Sequence, residues 1–139
     1  MTRIESDKSV INKTDRAIFN FLSNFNNFQK LMPEQVTNWQ STEDDCKFTI
    51  SGMATLGMKI SEKNPNDYIK VIRNETGPFD FTLEVYIKKN TEKDSEVQLA
   101  FNADLNPMLK MMAVKPLTNF LNILLTKLSE LDIEDSPAS

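Results

Sequence analysis

The chain has 139 residues, enough for one ordinary domain, and its 40% hydrophobic and 26% charged residues indicate a globular protein. Its net charge of −4 argues against a nucleic-acid-binding protein, which needs a basic face for phosphate contacts. Histidine is absent and Cys46 is the only cysteine, which excludes imidazole-based triads, the usual histidine zinc sites and an internal disulfide. We therefore expect neither a metal nor a cofactor.

The ends of the chain bear on its compartment. The N-terminus is polar and has no apolar run after its charges, so no signal peptide is predicted. Polar residues interrupt the most apolar stretch, 117–131, so no membrane span is expected. A lone thiol without an export signal predicts a cytoplasmic protein. Lysines outnumber arginines thirteen to three and there are 14 asparagines, which is typical of an AT-rich bacterial genome.

The first 33 residues predict a strand and two short helices. Residues 2–12 can alternate as a strand with apolar positions on both faces. Thr14 suits the N-cap of a helix that begins at Asp15. A second helix places Phe25 and Phe28 at helical spacing and ends at Pro33. These helices are too short to bury themselves, so they must pack on something larger.

From residue 36 to 104 the apolar period becomes two, which predicts about six strands with one buried and one wet face. Turn residues separate the runs, as an antiparallel meander requires. A bulge at Gly52 or Gly57 would reverse the faces downstream, so the parity near these glycines stays open. The clearest inward positions form two runs: Phe81, Leu83, Val85, Ile87 and Val97, Leu99, Phe101, Ala103.

After Asp104 the period returns to 3.6, which predicts one long helix over 107–131. Asn106 is a good N-cap, and Pro107 suits the first helical position, where its missing N–H costs nothing. Pro116 lies inside the helix, and we expect it to bend the helix there.

This order of elements resembles a known superfamily in three stretches: residues 10–22, residues 23–33 and the closing helix from Asn106. The chain resembles the START-like, or SRPBCC, helix-grip proteins, which include the birch pollen allergen and the polyketide cyclases. The resemblance implies an α+β fold in which a curved antiparallel sheet of about six or seven strands wraps around the long C-terminal helix. Residues 1–131 would form one domain, and 132–139 an acidic, disordered tail. Lys13 and Thr14 stand where the family usually has proline.

The resemblance also implies a cavity between sheet and helix, which the family uses for lipids, sterols and polyketides. We therefore expect a small apolar or amphipathic ligand, lipid-like or polyketide-like, to bind there. The expected ligand-binding residues are apolar or aromatic side chains on the sheet and the helix, and one arginine: Trp39, Phe48, Ile50, Phe81, Leu83, Val85, Leu99, Phe101, Met112, Leu117, Phe120, Leu124 and Arg73.

Several of these residues have a simpler alternative. Trp39 can line a pocket and orient a ligand, or only pack in the core. Arg73 continues the inward parity of its strand and could bind a ligand carboxylate, or it could pair with Glu75 or Asp80 in solvent. Cys46 follows an acidic turn, which raises the pKa of a thiol, so it is interpreted as a small core residue.

Two other functions remain open. The chain could be a cyclase- or hydratase-type enzyme that uses cavity carboxylates or Tyr86, which predicts at least two polar side chains converging in the cavity. It could instead bind a protein partner through the methionine-rich start of the long helix, at Met108, Met111 and Met112. That alternative predicts an exposed apolar patch and a compact core. No residue is predicted to be catalytic.

Overall fold

A computed structural model describes residues 2–34, 36–50, 54–74 and 79–131. Eight strands, three α-helices and one 3₁₀ turn follow each other in these ranges. The strands are β1 (Thr2–Glu5), β2 (Ser9–Ile11), β3 (Val36–Ser41), β4 (Asp45–Ile50), β5 (Ala54–Asn64), β6 (Tyr68–Arg73), β7 (Phe81–Lys89) and β8 (Ser95–Ala103). The helices are α1 (Asp15–Leu22), α2 (Phe25–Phe28), which continues into the 3₁₀ turn Gln29–Leu31, and α3 (Pro107–Glu130).

All eight strands belong to one antiparallel sheet of order β1-β8-β7-β6-β5-β4-β3, with β2 also paired to β8. Strands β3 to β8 therefore form a meander, and its last strand, β8, returns to pair with β1 and β2 from the start of the chain. The predicted α+β fold is confirmed. The strand count is one higher than the upper expectation because the predicted strand over 2–12 is divided in two.

The division of the first strand is stabilised by a buried serine. Ser6 lies between β1 and β2, where its backbone N–H donates to the Leu99 carbonyl and its hydroxyl accepts from the Leu99 N–H, both at 2.9 Å. Both backbone groups of Leu99 are thus satisfied without a regular ladder position, so the chain can break its strand here without leaving them unpaired.

The two short helices form as the sequence predicts. The Thr14 hydroxyl accepts from the Ala17 N–H at 3.1 Å and caps α1, while the Asn24 side chain accepts from the Asn26 N–H and caps α2. Helix α1 packs on β6 and β7 and buries Phe19 and neighbouring apolar residues. The core therefore lies between the inner face of the sheet and the helices.

Helix α3 covers the β1, β2 and β8 side of that inner face. Its N-cap is Asn106, whose side-chain oxygen accepts from the Leu109 N–H at 2.9 Å, and Pro116 lies within the helix, as predicted. The predicted disordered tail, 132–139, and Gly52 lie outside the described residues, so both remain predictions. At Gly57 the pairing of β4 with β5 runs without interruption, so the parity holds there.

A candidate apolar ligand site between the sheet and the long helix

A small cavity lies between α3 and the inner face of the sheet. Its volume is about 20 Å³, which is close to the space of one water molecule. All the side chains that line it are apolar: Phe28, Met32, Phe48, Ile50, Leu56, Met58, Leu83, Phe101, Leu117, Phe120, Leu121 and Leu124. A ligand therefore needs side chains or part of α3 to move, and it would find no polar side chain in the lining.

Regular element geometry brings these side chains together. On the sheet, Phe48 pairs with Leu56 across β4 and β5, and Leu83 pairs with Phe101 across β7 and β8. Paired residues of an antiparallel ladder share a face, so both pairs point at the helix. Helix α3 supplies positions 117, 120, 121 and 124, which follow the spacing of one helical face.

Seven of the expected ligand-binding residues line the cavity: Phe48, Ile50, Leu83, Phe101, Leu117, Phe120 and Leu124. Phe81, Val85 and Leu99 are buried in the same core but do not line it. Five lining residues were absent from the expectation: Phe28, Met32, Leu56, Met58 and Leu121. Their apolar periodicity was visible in the sequence, but only the packing of α2 and β5 against α3 shows that they meet.

Met112 does not lie on the cavity wall, contrary to expectation. Its side chain is 68% exposed, whereas its neighbour Ala113 is buried. Met112 precedes Leu117 by five residues, which is about 140° around an α-helix, so the two cannot share a face. The helical period alone does not decide whether Met112 or Ala113 begins the buried face of α3, and the structure buries Ala113.

Arg73 lies at the end of β6 and pairs with Met58 in the ladder, which places it on the inner side of the sheet. Its guanidinium Nη2 lies 3.0 Å from Oδ1 of Asp80, and its side chain is partly exposed. The inward parity and the ion pair with Asp80, which were alternatives for the sequence, therefore occur together.

Trp39 reaches the inner face through a bulge in β3. The register shifts between Thr37, which pairs with Thr49, and Gln40, which pairs with Lys47, so Asn38 and Trp39 together oppose Phe48. The indole ring stacks on Phe48 with centroids 5.1 Å apart and an interplanar angle of 24°. Trp39 packs against the core, but its Nε1 atom is buried and has no hydrogen-bond partner in the structure of the described residues.

The outer face of the sheet carries a polar cluster around Glu84. Its carboxylate accepts hydrogen bonds from Tyr68 (2.6 Å), Tyr86 (2.8 Å), Asn102 (2.8 Å) and Arg3 (3.1 Å). Burial alone would raise the pKa of Glu84, but these four donors outweigh it and lower the pKa to about 2. Burial and the bond to Glu84 raise the pKa of Tyr68. Because Tyr86 donates to Glu84 in this cluster, it lies on the face of the sheet opposite the cavity.

An open cleft of about 370 Å³ also lies along β3, β4 and β5, lined mostly by polar residues. Gly57 lets the backbone of Asn74 approach β5 closely, because a Cβ there would lie 2.6 Å from the Asn74 carbonyl oxygen. Cys46 borders the cleft, but burial and the neighbouring Asp45 charge raise the pKa of its thiol to about 12. The thiol is protonated at neutral pH, which agrees with its predicted place in the core.

The start of α3 exposes an apolar patch, the methionine patch, made of Met108, Leu109, Met111 and Met112, with exposures of 73%, 37%, 87% and 68%. Methionine adapts its shape to irregular partners. Within the described residues, no group of three or more Cys, Asp or Glu side chains could hold a metal ion. Nor does any helix of the described ranges combine the length and the apolar character needed to cross a membrane.

No protein-family model and no curated protein sequence matches the chain. Solved structures do. A protein of Thermus thermophilus matches with a TM-score of 0.75 at 12% identity, over 93% of this chain and 95% of its own. The protein XoxI of Bacillus cereus matches with a TM-score of 0.74 at 14% identity, over 94% of each chain.

A START superfamily protein from Mycobacterium smegmatis matches with a TM-score of 0.68 at 12% identity, over 92% of this chain and 94% of its own. At such identities the likeness concerns the fold and not the activity. The chain therefore has the START-like, or SRPBCC, fold.

Proposed function

We propose that this protein binds a small apolar or amphipathic molecule, lipid-like or polyketide-like, between the sheet and α3. The observation that carries the proposal is the wholly apolar lining of the cavity beneath α3. Binding energy would come mainly from removing ligand surface from water, at about 25 cal/mol per Å² before the costs of association. The START-like fold supports the location, because α3 and the inner face of the sheet meet there through apolar side chains alone.

The cavity of about 20 Å³ must enlarge for such a ligand. The two halves of α3 differ in how firmly they are bound to the rest of the protein. Its second half is tied down: the Asn122 side chain accepts from the Asp7 N–H, Lys127 donates to the Met32 carbonyl, and the Ser129 carbonyl accepts from Lys13. Among the described residues, these three hydrogen bonds join α3 to other segments of the chain, and all involve α3 residues after position 121. The first half of α3 makes no such hydrogen bond to the parts of the chain that the structure describes.

Pro116 adds to the independence of the first half of α3. It has no N–H to donate to the carbonyl of Met112, so the helix loses one of its own hydrogen bonds at this point. Residues 107–112 are all exposed and contribute nothing to the core. Outward displacement of residues 107–112 would break few tertiary contacts, and repacking of Leu117 and Phe120 would then enlarge the cavity.

The test is a titration with methyl hexyl ketone, followed by NMR of the leucine and methionine methyl groups. We expect the methyl signals of Leu117, Leu121 and Leu124 to shift, and we expect Leu124→Ala, which enlarges the cavity, to bind the ketone more tightly. Met111→Ala serves as the matched control, because it changes the same helix at an exposed position. Shifts confined to the methionine patch, or binding abolished by Met111→Ala, would refute the cavity as the site.

A second candidate function is recognition of a protein partner through the methionine patch, since the exposure of its four apolar side chains is unusual for a free surface. A photo-crosslinking amino acid at position 111 tests it, with the same group at the exposed position 119 as control. Capture of the same proteins from both positions, or of none, refutes this function. The enzyme alternative gains no support, because the cavity lining contains no carboxylate and Tyr86 lies on the outer face.

A further inference from the structure

The indole N–H of Trp39 is a buried donor that the fold leaves unused. Its nitrogen is shielded from solvent and finds no acceptor in the structure of the described residues. Folded proteins pair the great majority of buried polar groups, because a donor that is removed from water without a partner costs free energy. An unpaired donor is therefore a feature that needs an explanation, and an acceptor supplied by a ligand is one.

The position of this donor is built by the backbone. Val36 and Trp39 both pack against the core although they are three residues apart, which a regular strand does not allow. The bulge achieves it by placing Asn38 in the left-handed region at φ 56°, a conformation that asparagine tolerates better than most residues. Without the bulge, Trp39 would face outward, where its N–H could reach water.

The surroundings of the ring lead from this donor to the cavity. Trp39 stacks on Phe48, and Phe48 lines the cavity together with Ile50. Ile50 in turn pairs with Val36 across β3 and β4. A ligand that enlarges the cavity beyond Phe48 along this inner face would therefore meet the indole ring that stacks on Phe48.

We propose that Trp39 Nε1 is the polar anchor of the ligand site and donates a hydrogen bond to an uncharged acceptor oxygen, such as a ketone or ester carbonyl, on a ligand whose apolar part occupies the enlarged cavity. This inference rests on the proposed function and specifies its ligand class. An uncharged acceptor is favoured because one neutral donor cannot offset the desolvation of a carboxylate. Arg73, a cation on the inner side of the sheet at the end of β6, is already paired with Asp80.

The single tryptophan makes this proposal directly measurable, because a ¹⁵N-labelled sample gives one indole N–H signal. The probes are methyl hexyl ketone, the alkene in which a CH₂ group replaces the carbonyl oxygen, and octanoate. We expect the ketone to move the indole proton downfield and to bind roughly tenfold more tightly than the alkene of the same shape. The alkene should bind without that downfield shift, and octanoate should bind more weakly than the ketone.

The variant Trp39→Phe removes the donor and keeps an aromatic ring for Phe48. It should lower the affinity for the ketone by roughly tenfold and leave that for the alkene within about twofold, which also shows that the site is intact. Equal binding of ketone and alkene with no indole shift would overturn the anchor and leave the proposed function standing. Tighter binding of octanoate would also overturn it. If neither ketone nor alkene binds, the proposed function fails and this inference fails with it.

Discussion

The two faces of the same sheet treat their polar groups in opposite ways. On the outer face, the Glu84 carboxylate accepts four side-chain hydrogen bonds, three from residues on β1, β6 and β8 and one from Tyr86 on its own strand. On the inner face, the indole N–H of Trp39 donates no hydrogen bond to any of the described residues. Glu84 has the largest shift of a carboxyl pKa among the described residues. The Trp39 N–H, however, is the group that could still form a hydrogen bond with a ligand.

This difference separates two possible markers of a functional site, a shifted pKa and a buried polar group without a hydrogen-bond partner. A strongly shifted pKa is a recognised marker of functional sites, but networks that only support structure shift pKa values as well. The donors around Glu84 are satisfied by it, and Arg3 brings strand β1 into the same cluster. The Glu84 cluster on the outer face therefore links the edge strand β1 to the rest of the sheet, whereas the inner face is where we propose that a ligand binds.

The largest effect should come from a substitution in the core between the inner face of the sheet and α3. Leu124 is buried and lines the cavity, so Leu124→Ala should lower the free energy of unfolding by roughly 3 to 4 kcal/mol, through lost burial and the larger cavity. Urea unfolding at neutral pH measures this change. The exposed Met111→Ala on the same helix should stay within about 0.5 kcal/mol of the parent protein. Equal losses in the two variants would contradict the packing described for α3.

Much of this inner face could be predicted from the sequence. The alternation of Leu83 and Phe101 and the helical spacing of Leu117, Phe120 and Leu124 place these residues on the core side before any coordinates are known. The N-caps Thr14 and Asn106 act as predicted, because capping depends on local sequence alone.

The features that were missed depend on register or on local irregularity. Glu84, Tyr68 and Asn102 are polar residues on three strands, and only the pairing of those strands shows that they meet. Trp39 was singled out, but its inward position depends on a bulge that adds one residue to β3, and strand periodicity does not reveal such an insertion. The filled state of the cavity depends on side-chain packing, which periodicity does not encode.

The second effect concerns the outer face and acid. The pKa of Glu84 is lowered in the folded protein to about 2 from its ordinary 4.5, so the carboxylate stabilises the fold fully above pH 4.5 and loses that contribution as the pH falls towards 2. The loss should be about 2 to 3 kcal/mol at the acid end. Unfolding free energies measured across this window, in the parent protein and in Glu84→Gln, isolate the contribution. Parallel profiles for the two proteins would disprove it.

The third effect is the same substitution at neutral pH. Glu84→Gln keeps the shape of the side chain but replaces a charged acceptor of four hydrogen bonds by an amide that can accept fewer, so stability should fall by about 2 kcal/mol. Thermal and urea unfolding both measure it. Glu92→Gln, in the exposed turn between β7 and β8, is the matched control and should change stability by less than about 0.5 kcal/mol.

The smallest effect should come from Trp39→Phe in the absence of ligand, and its smallness is informative. The smaller ring loses apolar contact, which destabilises the protein, but the substitution also removes a buried donor that has no partner, which offsets part of the loss. We expect the free energy of unfolding to change by less than about 1 kcal/mol. Phe48→Leu, which truncates the stacking partner that is itself buried, should cost more.

A loss above about 2 kcal/mol for Trp39→Phe, beyond what the lost apolar contact accounts for, would indicate that the indole N–H makes a stabilising bond in the free protein, and the anchor proposal would lose its basis. A small change leaves a residue whose polar atom contributes little to the stability of the fold, although a bulge with a left-handed Asn38 is maintained to hold it on the inner face. Such backbone irregularities are commonly found where a side chain is directed towards a functional task. Together with a tenfold loss of ketone affinity in the same variant, a small stability change would assign that task to the binding of a ligand's oxygen.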